Sequence, residues 1–103
     1  MIGPDPVEIP IEQNLAAHRF EARFPEGLAL LKYHYDDVGR LHLDHTEVPA
    51  ARRHQGVAAR LARAALEFAR ARKATIVPLC PYVITYLKKH PEYAPLVDPG
   101  ATG

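Results

Sequence analysis

Three groups of residues in this 103-residue chain are of types that do chemistry. The first runs from Thr46 to Leu61 and contains Arg53-x-x-Gly56-x-Ala58. It reads as the end of a strand, a loop bearing Pro49, Arg52 and Arg53, and the first turn of a long helix. A glycine at that junction lets a ligand approach the backbone closely. The unpaired amides of a helix's first turn favour an anion, and arginine grips phosphate in bidentate fashion. The local physics is that of a phosphate site for a nucleotide-like cofactor; an ordinary surface loop with a helix behind it is the competing reading. The second group is Cys80, which precedes Pro81 and so stands near the N-cap of a second helix. A helix N-terminus favours a thiolate over a thiol, although a lone cysteine also behaves as a small buried hydrophobe. The third group is His42 and His45, on the strand that feeds the loop. Histidine is the commonest proton carrier in enzymes, and a strand histidine donating to a backbone carbonyl is the bland alternative. Glu47, two residues on, fits either a base or an outward polar residue.

The elements that position these groups follow from the hydrophobic pattern. From His18 to Phe24, Phe20, Ala22 and Phe24 alternate with Arg19, Glu21 and Arg23, as a half-buried strand does. Pro25-Glu26-Gly27 makes a tight turn. Leu28 to Tyr35 is apolar on both sides for most of its length, which predicts a more central strand. A second turn at Asp36-Asp37-Val38-Gly39 leads to a third strand over Arg40 to Val48. Three strands joined by such short turns pair as an antiparallel meander.

A helix is predicted over Gln55 to Arg72, with Val57, Leu61, Ala64, Ala65 and Phe68 on one face and Arg60, Arg63, Glu67 and Arg70 on the other. Ala74 to Val77 is a short buried strand, expected to run parallel to the third through a right-handed crossover. Pro81 to Lys89 forms the second helix, opened by Pro81 and stopped by Pro91. The predicted organisation is an irregular leader over 1–17, one domain over 18–94 and a weakly structured tail over 95–103. This is a mixed α/β sheet and not a Rossmann unit.

Composition narrows the function classes. The length suits one domain with a modest core. An apolar fraction of 48% and a net charge of +1 give a globular chain with no global steering. Locally, Arg52, Arg53, Arg60, Arg63, Arg70, Arg72 and Lys73 face only Glu67 as a counter-charge, an excess suited to a phosphorylated cofactor. Nucleic-acid binding through this basic helix is disfavoured, because no aromatic residues interleave with the arginines to make a stacking platform. A single cysteine makes no internal disulfide, and no Cys/His pattern has zinc spacing, so no metal is expected. No stretch approaches the roughly 18–20 apolar residues that span a bilayer. A cytoplasmic protein without membrane contact is the expectation.

The order of elements, with Val48-x(4)-Arg53-x-x-Gly56-x-Ala58 at the strand-to-helix junction, resembles the GNAT superfamily of acyl-CoA-dependent N-acetyltransferases. Its signature at that junction is Gln/Arg-x-x-Gly-x-Gly/Ala. The likeness is closer to a subgroup of very short members, which share His45-Thr46, Val48-Pro49, Gly56 and Pro78-Leu79-Cys80-Pro81-Tyr82-Val83 as they stand here. It extends from about Phe20 to Tyr93. The resemblance implies the minimal acyl-CoA N-acyltransferase fold, an α/β arrangement of three-stranded meander, helix, parallel strand and helix. It also implies acetyl-CoA as cosubstrate and an amine, from a small molecule or a protein, as acceptor.

Residue by residue, the resemblance puts the cofactor pyrophosphate on Arg53, His54, Gln55, Gly56, Val57 and Ala58. The pantetheine arm would lie where the third and the parallel strand splay apart, pairing with backbone near Glu47 and Val48. Arg53 and Arg60 are the first candidates for the 3′-phosphate-ADP half. His45 and Cys80 would form the reactive pair, His45 as base and Cys80 as nucleophile or acyl carrier, since an adjacent histidine activates a thiol. His42 is the rival base. It lies three residues before His45 and faces the other way on a regular strand, an assignment that a bulge would reverse. Tyr82 and Tyr86 fall where larger members use a tyrosine to protonate the leaving thiolate; ring packing against the core is the other role open to each. The later strands that build the acceptor wall in full-length members have no counterpart here, which keeps a second function in view: a non-catalytic acyl-CoA-binding module or sensor.

Overall fold

The computed structural model describes residues 9–102. Most of the proline-rich start, residues 1–8, lies outside the described residues. The three expected strands form as Arg19–Phe24, Gly27–Tyr35 and Leu41–Glu47. Glu12–Asn14, within the segment read as an irregular leader, adds an antiparallel edge strand against Arg19–Glu21. Numbered in chain order with Ile76–Pro78, the strands β1 to β5 lie side by side in that same order. The long apolar run of β3 therefore sits at the centre of the sheet, where both of its edges are paired. β5 is parallel to β4 and the other pairings are antiparallel.

The helix α1, Val57–Arg72, covers one face of the sheet. Alternation along the strands supplies that face: Phe20, Ala22 and Phe24, then Ala29, Leu31 and Tyr33, then Leu41 and Leu43. The helix meets them with Val57, Leu61, Ala62, Ala65, Leu66 and Ala69, all buried. Of the expected stripe, Val57, Leu61 and Ala65 are in this set, whereas Ala64 and Phe68 are not. Both lie at the margin, and Phe68 closes the flank edge-on against Phe20. The helix ends where Lys73 turns left-handed (φ 55°), with its N–H on Arg70 O and that of Ala74 on Ala69 O. This closure satisfies the last carbonyls.

The second helix, α2, spans Pro81–Lys89 with Cys80 as its N-cap residue. The segment read as a weak tail is tied down. Val97 bridges Ile76 in parallel and Asp98 N–H donates to Ile76 O at 2.8 Å, covering the outer edge of β5. The face of the sheet opposite α1 carries the charged residues. There Glu21, expected to point to water, is only 2% exposed. Arg19, Arg23 (3.3 Å) and Asn14 (3.1 Å) hydrogen-bond its carboxylate and cover it, as a buried charge requires. No helix of the described residues is long and apolar enough to cross a membrane.

Candidate active site

β4 does not run regularly. Lys32 pairs with His45 and Tyr33 with Leu43, so Asp44 is an extra residue, a β-bulge. A regular strand would carry the alternation of Leu41 and Leu43 on to His45 and put that imidazole against the core. The bulge shifts the phase by one residue. Thr46, paired with Leu31, now faces the core and is buried. His45, paired with Lys32, and His42, paired with His34, share the opposite face. The two histidines are thus on one side of the sheet, not on two.

The consequence for Cys80 is direct. Leu79 N–H and Cys80 N–H both donate to Leu43 O (3.0 and 3.1 Å), which fixes the start of α2 against β4. The thiol is 1% exposed, and its Sγ lies 3.1 Å from Thr46 Oγ1. His45 is instead 58% exposed, its Nε2 donating to Glu47 Oε2 at 3.0 Å. The expected Cys80–His45 pair is therefore not formed: the bulge sends the imidazole to one face and the thiol lies on the other. Thr46 is the partner that local sequence reading did not pick out, because nothing short of the strand register brings it to Cys80.

The parallel pairing of β4 with β5 stops at Leu43 and Pro78, and beyond that point β4 continues to Glu47 paired with β3 only. A short 3-10 turn, Ala50–Arg52, then leads into the loop. Here His54 (φ 65°) and Gly56 (φ 81°) are both left-handed, and a Cβ built on Gly56 meets nothing within 4 Å. No side chain caps α1 and no acid lies in its first turn, so its amides face the space in front of the loop.

Two cavities flank this junction. One, of ≈ 220 Å³, lies along Val48, Arg53, His54, Gly56, Val57 and Ala58. The other, of ≈ 460 Å³, lies along Glu26, His45, Thr46, Glu47 and Pro49. Val48, Arg53 and Tyr82 line both. Gln55 turns its side-chain amide back to Ala51 O (3.2 Å).

Tyr82 is 52% exposed, so its ring does not pack into the core. Tyr86 does pack there, stacked on His90 with centroids 4.0 Å apart. The arginines divide in the same way. Arg52 pairs with Glu26 (3.0 Å) and lies over the Phe24 ring, and Arg60 reaches Ile9 O (2.6 Å). Arg70 and Arg72 lie over Tyr93 and Phe68. Arg53, whose Nε donates to Val48 O at 3.3 Å, is the one that lines both cavities.

With a parallel pair that parts next to a Gly-bearing loop and a helix N-terminus, the chain is an acetyltransferase-like protein. The profile of GCN5-related N-acetyl-transferases matches residues 19–96, and the chain belongs to that family. It is similar to protein NATD1 of chicken and of mouse, 34% identical to each over 85 residues, covering 81% of this chain and 77% of theirs. It is also similar to human protein NATD1, 40% identical over 63 residues, covering 61% of this chain and 56% of that protein.

Proposed function

We propose that this protein binds acetyl-CoA against the Arg53–Ala58 loop and the end of β4 and transfers the acetyl group to an amine. Family membership supports the reaction class, since domains of this family typically use acetyl-CoA. The observation that carries the reading is the pair of cavities sharing Val48, Arg53 and Tyr82. The smaller, under the first-turn amides of α1, suits the pyrophosphate. Glu47 and Val48 offer backbone groups to the pantetheine arm, and Arg53 leaves Val48 O to meet phosphate. The larger is lined by Glu26, whose carboxylate Arg52 already holds, and by Glu47, whose carboxylate suits an amine that arrives as an ammonium.

In the proposed reaction the amine nitrogen attacks the thioester carbonyl carbon. The C–N bond forms as the C–S bond breaks. With Nε2–H given to Glu47, His45 keeps a lone pair on Nδ1, and that nitrogen takes one proton of the arriving ammonium before the attack and later releases it to water. The departing sulfur takes a proton from the Tyr82 hydroxyl, which regains one from the new amide nitrogen. Cys80, sealed against Thr46, has the weaker claim: as an acyl carrier it requires the start of α2 to open.

The burial of Cys80 also favours a second reading, an acyl-CoA-binding module without turnover. One experiment separates the possibilities. The protein is incubated with acetyl-CoA, alone and with a panel of amines, and followed by calorimetry, product analysis and intact mass. The expected result is saturable binding and amine acetylation that is lost in His45→Gln. An acetyl adduct that disappears in Cys80→Ser supports the relay instead. Binding with neither adduct nor product supports the module, and absence of binding overturns both.

A further inference from the structure

A second cluster lies on the open face of the sheet, and none of its residues lines either cavity. His34 on β3 and His42 on β4 are directly opposite in the antiparallel register. Their imidazole rings stack with centroids 4.4 Å apart and planes at 23°. The bulge residue Asp44 turns its carboxylate to the same face, with Oδ2 2.6 Å from His34 Nδ1. One donor atom from each of the three lies within 4.8 Å of the other two. Tetrahedral zinc, with bonds of roughly 2.0–2.2 Å, holds neighbouring ligand atoms about 3.3 Å apart. Rotation of three partly exposed side chains closes that gap without moving the strands.

His42 already has the support that metal-binding histidines have. Its Nε2 donates to Asp36 Oδ2 at 2.9 Å. Asp36 is itself held by the N–H groups of Val38 and Arg40 and by the Arg40 guanidinium. A carboxylate behind the ring fixes the tautomer and leaves the Nδ1 lone pair for an ion. Two imidazoles and one carboxylate suit zinc and its neighbours in the first transition row, and do not suit magnesium or calcium, which prefer oxygen alone. We propose that His34, His42 and Asp44 form a binding site for a divalent transition metal of the Zn²⁺ type, with water completing the coordination. The site ties the end of the β3–β4 hairpin and stands on the same strand face as His45.

The test uses tag-free, metal-stripped full-length protein, titrated with ZnCl₂ by calorimetry and with CoCl₂ by visible spectroscopy. The expected result is one equivalent of either metal, with the intense d–d bands of a low-coordinate Co²⁺ site. Zn²⁺ raises the melting temperature of the wild type and not that of His34→Gln or Asp44→Asn. Both variants melt with the metal-free wild type, because the side chains are at the surface. Asp36→Asn, which keeps an acceptor behind His42, weakens Zn²⁺ about 10- to 100-fold. Unchanged affinity in His34→Gln or Asp44→Asn overturns the site, as does an octahedral, weak-band Co²⁺ spectrum. Binding that is lost in His45→Gln instead assigns the metal to His45 and Glu47 and overturns it too.

Discussion

Thr46 Oγ1 and Cys80 Sγ lie 3.1 Å apart on the core side of the sheet, while His45, the residue before Thr46, faces the opposite side. The contact joins the end of β4, beyond its pairing with β5, to the N-cap of α2 and closes the thiol from water. A thiol in that position reacts only when the segment opens. Cys80 in the native protein is expected to react with a disulfide reagent slower than in urea by more than about two orders of magnitude. Thr46→Val, which keeps the shape and removes the hydroxyl, is expected to leave that protection in place. Native and denatured rates of similar size would show the thiol to be open and restore the acyl-carrier role.

His45 and Glu47 sit together at the mouth of the larger cavity. If His45 takes the amine proton, His45→Gln lowers kcat/KM for amine acetylation by about 10²- to 10⁴-fold, the usual worth of a general base. The affinity for CoA stays as in the wild type, since the imidazole lies outside the smaller cavity. Glu47→Gln gives a smaller loss of the same kind. Steady-state kinetics with a separate CoA titration checks this, and an undiminished kcat/KM in His45→Gln rules the role out.

Gly56 is left-handed with free space around its missing side chain. Gly56→Ala therefore meets no clash, and its cost is conformational, about 1–2 kcal/mol. Urea denaturation measures it. The added methyl stands in front of the α1 amides, so CoA affinity is expected to drop as well. A variant as stable as the wild type would mean the loop relaxes to another backbone path.

The inner face of α1 gives a core prediction. Leu66 is fully buried, and Leu66→Ala is expected to cost about 2–5 kcal/mol. Phe68→Ala, at the margin under Arg72, is expected to cost less than Leu66→Ala although the ring is larger. The reverse order in urea midpoints would turn the helix about its axis.

Glu21 supplies the pH dependence. The hydrogen bond from Arg19 holds its carboxyl below the usual 4.5, against the upward push of burial and with help from Asn14 and Arg23. A depressed folded value stabilises the protein fully above the unfolded value and is lost as pH falls through the folded one. The stability difference between the wild type and Glu21→Gln is therefore expected to be constant above neutral pH and to shrink below about pH 4.5. A difference that grows on acidification contradicts the assignment.

Much of this protein was legible in the residues themselves. Phe20, Ala22 and Phe24 alternate, the β3 run is apolar on both sides, and α1 is rich in alanine. These patterns are local, and they are enough for the meander, the crossover helix and the central place of β3. The backbone geometry of Arg53-x-x-Gly56-x-Ala58 is local too, because a left-handed glycine before a helix needs only its neighbours in sequence. Cys80 as N-cap residue follows from Pro81 beside it.

What the tertiary structure alone decided turns on Asp44. The residues Leu41 to Asp44 alternate, and the polar run His45-Thr46-Glu47 after them has no apolar side to mark a phase, so nothing in their order shows an inserted residue. The bulge exists only relative to β3, and because side chains alternate with a period of two, it reverses every facing after it. It separates His45 from Cys80 and gives Cys80 to Thr46, while the β3–β4 register sets His34 beside His42 and Asp44 on the open face, residues whose spacing along the chain matches no metal pattern. Glu21 is buried for a similar reason: its cover comes from Asn14 on a neighbouring strand and from arginines held in register. Contacts of this kind depend on which strand edge meets which, and a local pattern carries no record of that.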